Sequence, residues 1–260
     1  MKPRVCVLRT AGTNCDQETA FAFSLCGAEA ELVHINKIAA DKASLLDYHI
    51  LALPGGFSYG DDIASGKIFA NELKYKLGSA LRKFINDGKL IIGICNGFQV
   101  LVKSGLLPGN SLLTQEVSLI INDSGKFEDR WVYLGSGSDE SSAKCVWTKG
   151  LPKVIYLPVA HGEGKFIVKN KKVLSRIKEN GQVVFHYTDS LGRASGYPAN
   201  PNGSVDNIAG ICDSTGRILG LMPHPERHIL SVQHPRWANK DCKEGLKIFK
   251  NGVEYINNNF

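Results

Sequence analysis

The run from Lys89 to Ile94 is apolar almost without a break, and it leads straight into Cys95-Asn96-Gly97. A strand that is apolar on both faces must be buried on both faces, and a parallel sheet covered by helices provides that environment. Three similar runs lie upstream, at Val5 to Leu8, Glu29 to Ile35 and His49 to Leu53. Cys15 to Cys26 and Leu77 to Asn86 carry apolar residues at helical spacing. Thr13 and Asn14 offer capping oxygens to the first of these helices, and Gly27 and Gly88 stop the two. The alternation predicts an α/β fold with a mostly parallel central sheet and helices on both faces.

The pattern changes after the first third. About 107–150 the chain is rich in Ser, Gly and Asn and holds short alternating stretches such as Trp131 to Leu134. These read as antiparallel strands and loops forming an extension at the sheet edge. Strand signals return at Val154 to Val159, Val183 to Tyr187, Ile208 to Cys212 and Ile218 to Met222, with Asp213 to Gly216 as a hairpin turn between the last two. From Asp241 to Asn258, Leu246, Phe249, Val253 and Ile256 form a helical stripe. No repeat or linker divides the chain. We expect one domain over 1–260, with an inserted region at about 107–150 and an extended tail at about 229–260.

Composition narrows the function classes. With 260 residues, 43% of them hydrophobic, the chain can bury a core without disulfides or a structural metal. No apolar run approaches membrane-spanning length and the N-terminus lacks a signal-type apolar region, so a cytoplasmic location is expected. The net charge of +6 is spread along the chain and does not suggest nucleic-acid binding. The seven cysteines are odd in number and none has CxxC spacing, which argues against a disulfide framework or a zinc site. Most should be inert buried thiols.

Cys95 is the exception to weigh. Gly93 and Gly97 flank it two residues before and two after, at the junction of a strand and the helix Asn96 to Lys103. That is the spacing of a nucleophile elbow, a tight turn that projects a side chain above the sheet. The start of a helix also favours a thiolate and supplies N–H groups, beginning with Asn96, for an oxyanion. Taken alone, the segment fits a buried cysteine in a tight turn equally well. Two further segments bear on it. Met222-Pro223-His224-Pro225-Glu226-Arg227 follows the strand Ile218 to Met222, so His224 can act as base and acid while Glu226 holds its tautomer. A zinc cluster of His224, His228 and His234 is the rival reading, disfavoured because prolines at 223, 225 and 235 break any helix that would align the three. Leu53-Pro54-Gly55-Gly56-Phe57 ends another strand, and the N–H of Gly56 can complete an oxyanion hole with Asn96. A phosphate loop is the alternative there, but the segment is neither GxGxxG nor followed by Lys-Ser or Lys-Thr.

In content and order, these three segments resemble the class I, or triad, glutamine amidotransferases. Further stretches are similar to one family within that class, the glutaminase subunits of phosphoribosylformylglycinamidine synthase. They are Gly12 to Asp16, Pro54 to Asp62, Cys95 to Gln99, Ala160 to Phe166, Asn200 to Ser204 and Asn207 to Ile211, within a resemblance running from about residue 4 to 228.

The resemblance implies a flavodoxin-like sheet and a triad of Cys95, His224 and Glu226, with Gly56 and Asn96 as the oxyanion hole. It also implies contacts to the amino-acid end of glutamine from Gln99 and from the backbone around His161 and Gly162. It further implies that ammonia passes to a separate synthetase subunit, in some relatives with a small third subunit. ATP and Mg would bind at that partner, and no cofactor or metal in this chain. The product would be an amidine of purine biosynthesis, made by an ATP-dependent carbon–nitrogen ligase of which this chain is the glutaminase component. The start at Met1 suggests a separate subunit. A loop near 123–150 and the tail after Arg227 exceed a compact small subunit, which leaves the partner geometry open. Gly196 to Ser204 is either a docking surface or a structured turn. Another cysteine hydrolase of the same fold, or a silent scaffold, are the competing readings.

Overall fold

The computed structural model describes residues 2–109, 114–136, 144–239 and 242–260. Parts of the inserted region, 110–113 and 137–143, and residues 240–241 of the tail lie outside the described residues. The strands are β1 (Arg4–Arg9), β2 (Glu29–His34), β3 (Ile50–Leu53), β4 (Leu90–Ile94), β5 (Val117–Ile120), β6 (Glu128–Ser136), β7 (Val154–His161), β8 (Lys165–Val168), β9 (Val183–Thr188), β10 (Ile208–Cys212) and β11 (Ile218–Leu221). The α-helices are α1 (Asp16–Leu25), α2 (Ile35–Ala40), α3 (Lys67–Lys76), α4 (Gly78–Asn86), α5 (Asn96–Lys103), α6 (Lys171–Glu179) and α7 (Glu244–Asn259).

Nine strands form one sheet in the order β2-β1-β3-β4-β11-β10-β9-β6-β7. The first five are mutually parallel. The remaining pairings are antiparallel. The apolar runs explain the layout. Every residue of β3, β4, β10 and β11 is buried, as strands in the middle of a covered sheet must be. The edge strand β2 is buried only at Val33. The 107–150 stretch contributes β6 to the antiparallel half and β5 to a separate pair with β8.

The last helix packs against the first. Phe23 of α1 meets Phe249 of α7 edge to face, their ring centroids 5.0 Å apart, so the tail folds back onto the N-terminal part of the chain. The stripe on α7 is buried at Ile248, Phe249, Val253 and Ile256. α5 lies against the strands that carry the elbow: a Cβ on Gly97 would stand 1.9 Å from the carbonyl oxygen of Leu53, and one on Gly220 would stand 2.1 Å from the ring of Phe98. The sequence reading did not include α2, α3 and α6. α6 buries only Val173 and Ile177, too narrow a stripe to stand out among its lysines. Its start is marked by Asn170, whose side chain accepts from Val173 N–H at 3.0 Å. Among the described residues, no helix is long and apolar enough to cross a membrane.

Candidate active site

β3, β4 and β11 are adjacent and parallel, and each ends in one of the three segments singled out by sequence. Ligand sites in open α/β sheets gather at the carboxyl ends of such strands. Gly55 and Gly56 follow β3, Cys95 follows β4, and His224 stands three residues past the end of β11.

Cys95 has φ +50 and ψ −105, a conformation rarely adopted by a residue with a side chain. Its backbone N–H bonds to Leu221 O at 2.8 Å, locking the turn to β11. Gly97 is required next to it, because the helix approaches Leu53 too closely for any side chain. The elbow is therefore a strained turn held by its neighbours, and it lifts the Cys95 sulfur to within 3.7 Å of Ala160 O. Asn96 opens α5, so its N–H has no acceptor one turn back.

His224 and Glu226 are buried and joined by a 2.5 Å hydrogen bond from Nδ1 to Oε1. A short 3-10 turn over Pro225–Arg227 brings the two side chains together, and the His224 N–H is anchored to Pro158 O at 2.8 Å. His224 Nε2 is buried and has no hydrogen-bond partner among the described residues. With Nδ1 committed to the carboxylate, Nε2 is the nitrogen free to exchange a proton. Burial disfavours the charged ring, but the Glu226 carboxylate and the nearby Cys95 sulfur outweigh it and hold the His224 pKa well above the usual imidazole range.

The Gly-Gly loop is pinned from both sides. Phe57 N–H bonds to Gly12 O at 2.9 Å and Asn14 N–H to Gly55 O at 3.4 Å, forming a bridge between Thr13 and Gly56 that does not use the Gly56 N–H itself. Gly56 has φ +142, and a Cβ there would stand 2.7 Å from Asn14 N, so only glycine fits. On the other side, the Asn96 side chain accepts from Ser58 N–H at 3.2 Å and donates to Asp61 at 3.2 Å. The two N–H groups expected to form an oxyanion hole thus belong to segments tied to each other.

A cavity of about 240 Å³ is lined by Asn14, Cys15, Gly56, Phe57, Cys95, Phe127, Asp129, Ala160, His224 and Arg227. The structure brings Cys95, His224 and Gly56 together here. Gln99, His161 and Gly162 lie beside this lining, behind Ala160. Gln99 is buried with both ends of its amide engaged: Oε1 accepts from Asn96 at 2.8 Å and Nε2 donates to Glu163 O at 2.7 Å. Gly162 O accepts from Asn122 N–H at 3.0 Å. The His161 ring lies between Asn122, 3.2 Å from Nδ1, and Asn202, 3.4 Å from Nε2. These residues hold the wall behind the cavity, to which the end of β7 contributes Ala160. Asn202 also donates to Gly164 O at 2.9 Å, and Ser204 Oγ accepts from Phe166 N–H at 2.9 Å. Asn200 to Ser204 is therefore a structured turn supporting that wall, while residues 191–198 before it are exposed.

Burial, with a smaller effect from nearby His224, pushes the His161 pKa down to about 3. The unfolded chain therefore binds a proton at His161 that the folded chain refuses, and stability should fall as pH drops below the ordinary histidine value. We expect wild type to lose roughly 1–2 kcal/mol more than His161→Gln between pH 6.5 and pH 5. Denaturant midpoints at the two pH values measure this difference, and equal losses would contradict it.

Sequence reasoning missed Cys15 and Arg227 as members of the site. Arg227 Nη2 lies 3.2 Å from Cys15 Sγ, and Cys15 Sγ lies 3.2 Å from Asn14 Oδ1. The signal was present in the Gly12 to Asp16 motif at the end of β1, where side chains gather at the same sheet edge. Ligand atoms of Cys15, His224 and Glu226 lie within 4.8 Å of one another, close enough for a metal. His224 is already committed to Glu226, and a guanidinium against the thiol opposes a second cation. Of the histidine cluster weighed earlier, His228 bonds to Tyr156 O at 2.8 Å and packs 5.3 Å from the His234 ring, while His224 is held by Glu226.

Residues 2–256 match the model of the family described as the CobB/CobQ-like glutamine amidotransferase domain. The chain is 49% identical over 258 residues to phosphoribosylformylglycinamidine synthase subunit PurQ of Dehalococcoides mccartyi, covering 98% of each. It is 46% identical over 274 residues to the PurQ subunit of Methanococcus maripaludis strain C5, covering 99% of this chain and 100% of that one. A chain in the structure of PurLQS from Thermotoga maritima superposes with a TM-score of 0.75 at 33% identity, covering 98% of this chain and all of that one.

Proposed function

Because the chain belongs to the CobB/CobQ-like glutamine amidotransferase family, and is similar to PurQ subunits over 98% of its length, we propose that it is the glutaminase subunit of a phosphoribosylformylglycinamidine synthase. The observation that carries the chemistry is the buried His224–Glu226 pair, with its free Nε2 in the same cavity as the elbow cysteine.

In this reading the Cys95 sulfur attacks the side-chain amide carbon of glutamine. The carbonyl oxygen becomes an oxyanion, held by the N–H groups of Gly56 and Asn96. His224, charged after taking the thiol proton, gives it to the departing nitrogen, and ammonia leaves a thioester on Cys95. Water then attacks the thioester while His224 accepts its proton. The C–S bond breaks, glutamate is released and the thiol is restored. Glu226 keeps the ring in the productive tautomer throughout. Gln99 and the backbone around His161 and Gly162, behind Ala160, help hold the amino-acid end of glutamine. Nucleophile, base and oxyanion donors all come from this chain, and the cycle uses no cofactor.

The ammonia serves a synthetase subunit that binds ATP and Mg and converts formylglycinamide ribonucleotide to its amidine in purine biosynthesis. A small third subunit completes the complex, and the setting is cytoplasmic. Residues 1–260 act as one glutaminase domain, with the antiparallel region and the tail as additions to it. The test is nitrogen-donor dependence. The synthetase should use free ammonia with or without this chain, but glutamine only with it. Glutamine use by the synthetase alone would defeat the proposal.

A further inference from the structure

Arg227 is a cation on the lining of this cavity, and among the described residues no carboxylate forms a salt bridge with it, although Glu226 and Glu18 are near enough to favour its charge. Its guanidinium is part-buried, lines the same space as Cys95 and His224, and bonds among the described residues to the sulfur of Cys15 at 3.2 Å. A guanidinium presents five donors in a fork suited to a carboxylate. Cys15 fixes its position. The thiol is buried, lies 3.2 Å from Asn14 Oδ1, and sits on a backbone whose N–H is tied to Gly55 O at 3.2 Å. Gly55 makes room for this arrangement, since a Cβ there would stand 2.7 Å from the His224 ring and 3.2 Å from the Cys15 sulfur. The sole acidic side chain on the lining is Asp129. The cavity thus joins a reactive sulfur to two opposite charges, matching an amino acid with an amide at one end and a carboxylate and an ammonium at the other.

We propose that Arg227, held by Cys15, binds the α-carboxylate of glutamine and so positions the side-chain amide at Cys95. This rests on the glutaminase reading and assigns a specificity determinant within that site. A charge-assisted, two-pronged contact of this kind favours substrates that carry the carboxylate by roughly 10- to 100-fold in kcat/KM. Cys15→Ser keeps an acceptor for the guanidinium and Cys15→Ala does not, so only the alanine variant should raise KM for glutamine.

The test pairs a residue change with a substrate change, using the complex with its synthetase. Wild type and Arg227→Gln are assayed for hydrolysis of glutamine and of γ-aminobutyramide, which is glutamine without its carboxylate. Wild type should prefer glutamine by roughly 10- to 100-fold, and in Arg227→Gln the preference should collapse to within about threefold. Arg227→Lys should restore part of it. If Arg227→Gln loses the same factor on both substrates, the residue is only structural and the proposal is overturned. An unchanged preference overturns it as well. A wild-type complex that hydrolyses neither amide removes the glutaminase reading and this proposal together, an outcome told apart from the others by wild type alone.

Discussion

Replacing Cys95 by alanine should abolish glutamine-dependent amidine synthesis while leaving ammonia-dependent synthesis by the partner intact. The expected loss is on the order of 10⁴-fold or more, the scale on which a covalent nucleophile contributes. The reason is positional. Cys95 is held at φ +50 by the bond from its N–H to Leu221 O and by the closeness of α5 to Leu53. Cys15, on the same lining, also stands at the start of a helix, but with an ordinary φ of −100. Most of the remaining cysteines are poorly placed for such work. Burial pushes the Cys26 thiol up to about 11 and the Cys6 thiol higher still. Cys15 is the informative control, because it lines the same cavity and lies close to His224. Glutamine-dependent synthesis that survives in Cys95→Ala and disappears in Cys15→Ala would transfer the nucleophile's role to Cys15.

Replacing Glu226 by glutamine should cost roughly 10³- to 10⁴-fold in glutaminase kcat, with the fold preserved, by analogy with the carboxylate of a serine triad. The change is isosteric, so the buried site keeps its volume. What changes is the proton inventory. A carboxylate accepts only, so it fixes the Nδ1 proton and leaves Nε2 as a base. An amide can present its N–H₂ to Nδ1 instead, which moves the ring proton to Nε2 and blocks transfer from the thiol. The charged ring also loses the carboxylate that offsets its burial. A raised pKa means that the imidazolium persists to higher pH in wild type, so in Glu226→Gln the ring should lose its proton at lower pH. Alkylation of Cys95 by a glutamine-like chloroketone, followed against pH, reads this directly: the rate should fall and the profile should move toward lower pH. A variant within about fivefold of wild type with an unmoved profile would show that Glu226 does not control the ring.

Much of this architecture could be read from local pattern. Unbroken apolar runs such as Leu90–Ile94 demand burial on both faces, and that requirement alone leads to a covered parallel sheet. The elbow is likewise a matter of a few neighbouring residues, since the glycines on either side of Cys95 act through clashes within a single turn and the strand beside it. His224 and Glu226 are two residues apart, and the prolines around them allow little freedom. Strand ends are visible in sequence, so the shared edge carrying Gly56, Cys95 and His224 could be anticipated once the sheet was taken as parallel.

Only the tertiary structure decided where the longer-range polar groups go. Gln99 lies one turn beyond Cys95. Helical periodicity places it on the correct face but cannot say that Glu163 O, 64 residues away, will take its amide. The same holds for His161, whose ring is enclosed by Asn122 and Asn202. Cys15 and Arg227 meet across 212 residues because the turns after β1 and β11 converge at one edge of the sheet. The apolar pattern determined that Cys95 would stand on a strained turn at the end of a buried strand. Strand order and side-chain pairing, set by the packing of the whole chain, decided which groups would surround it.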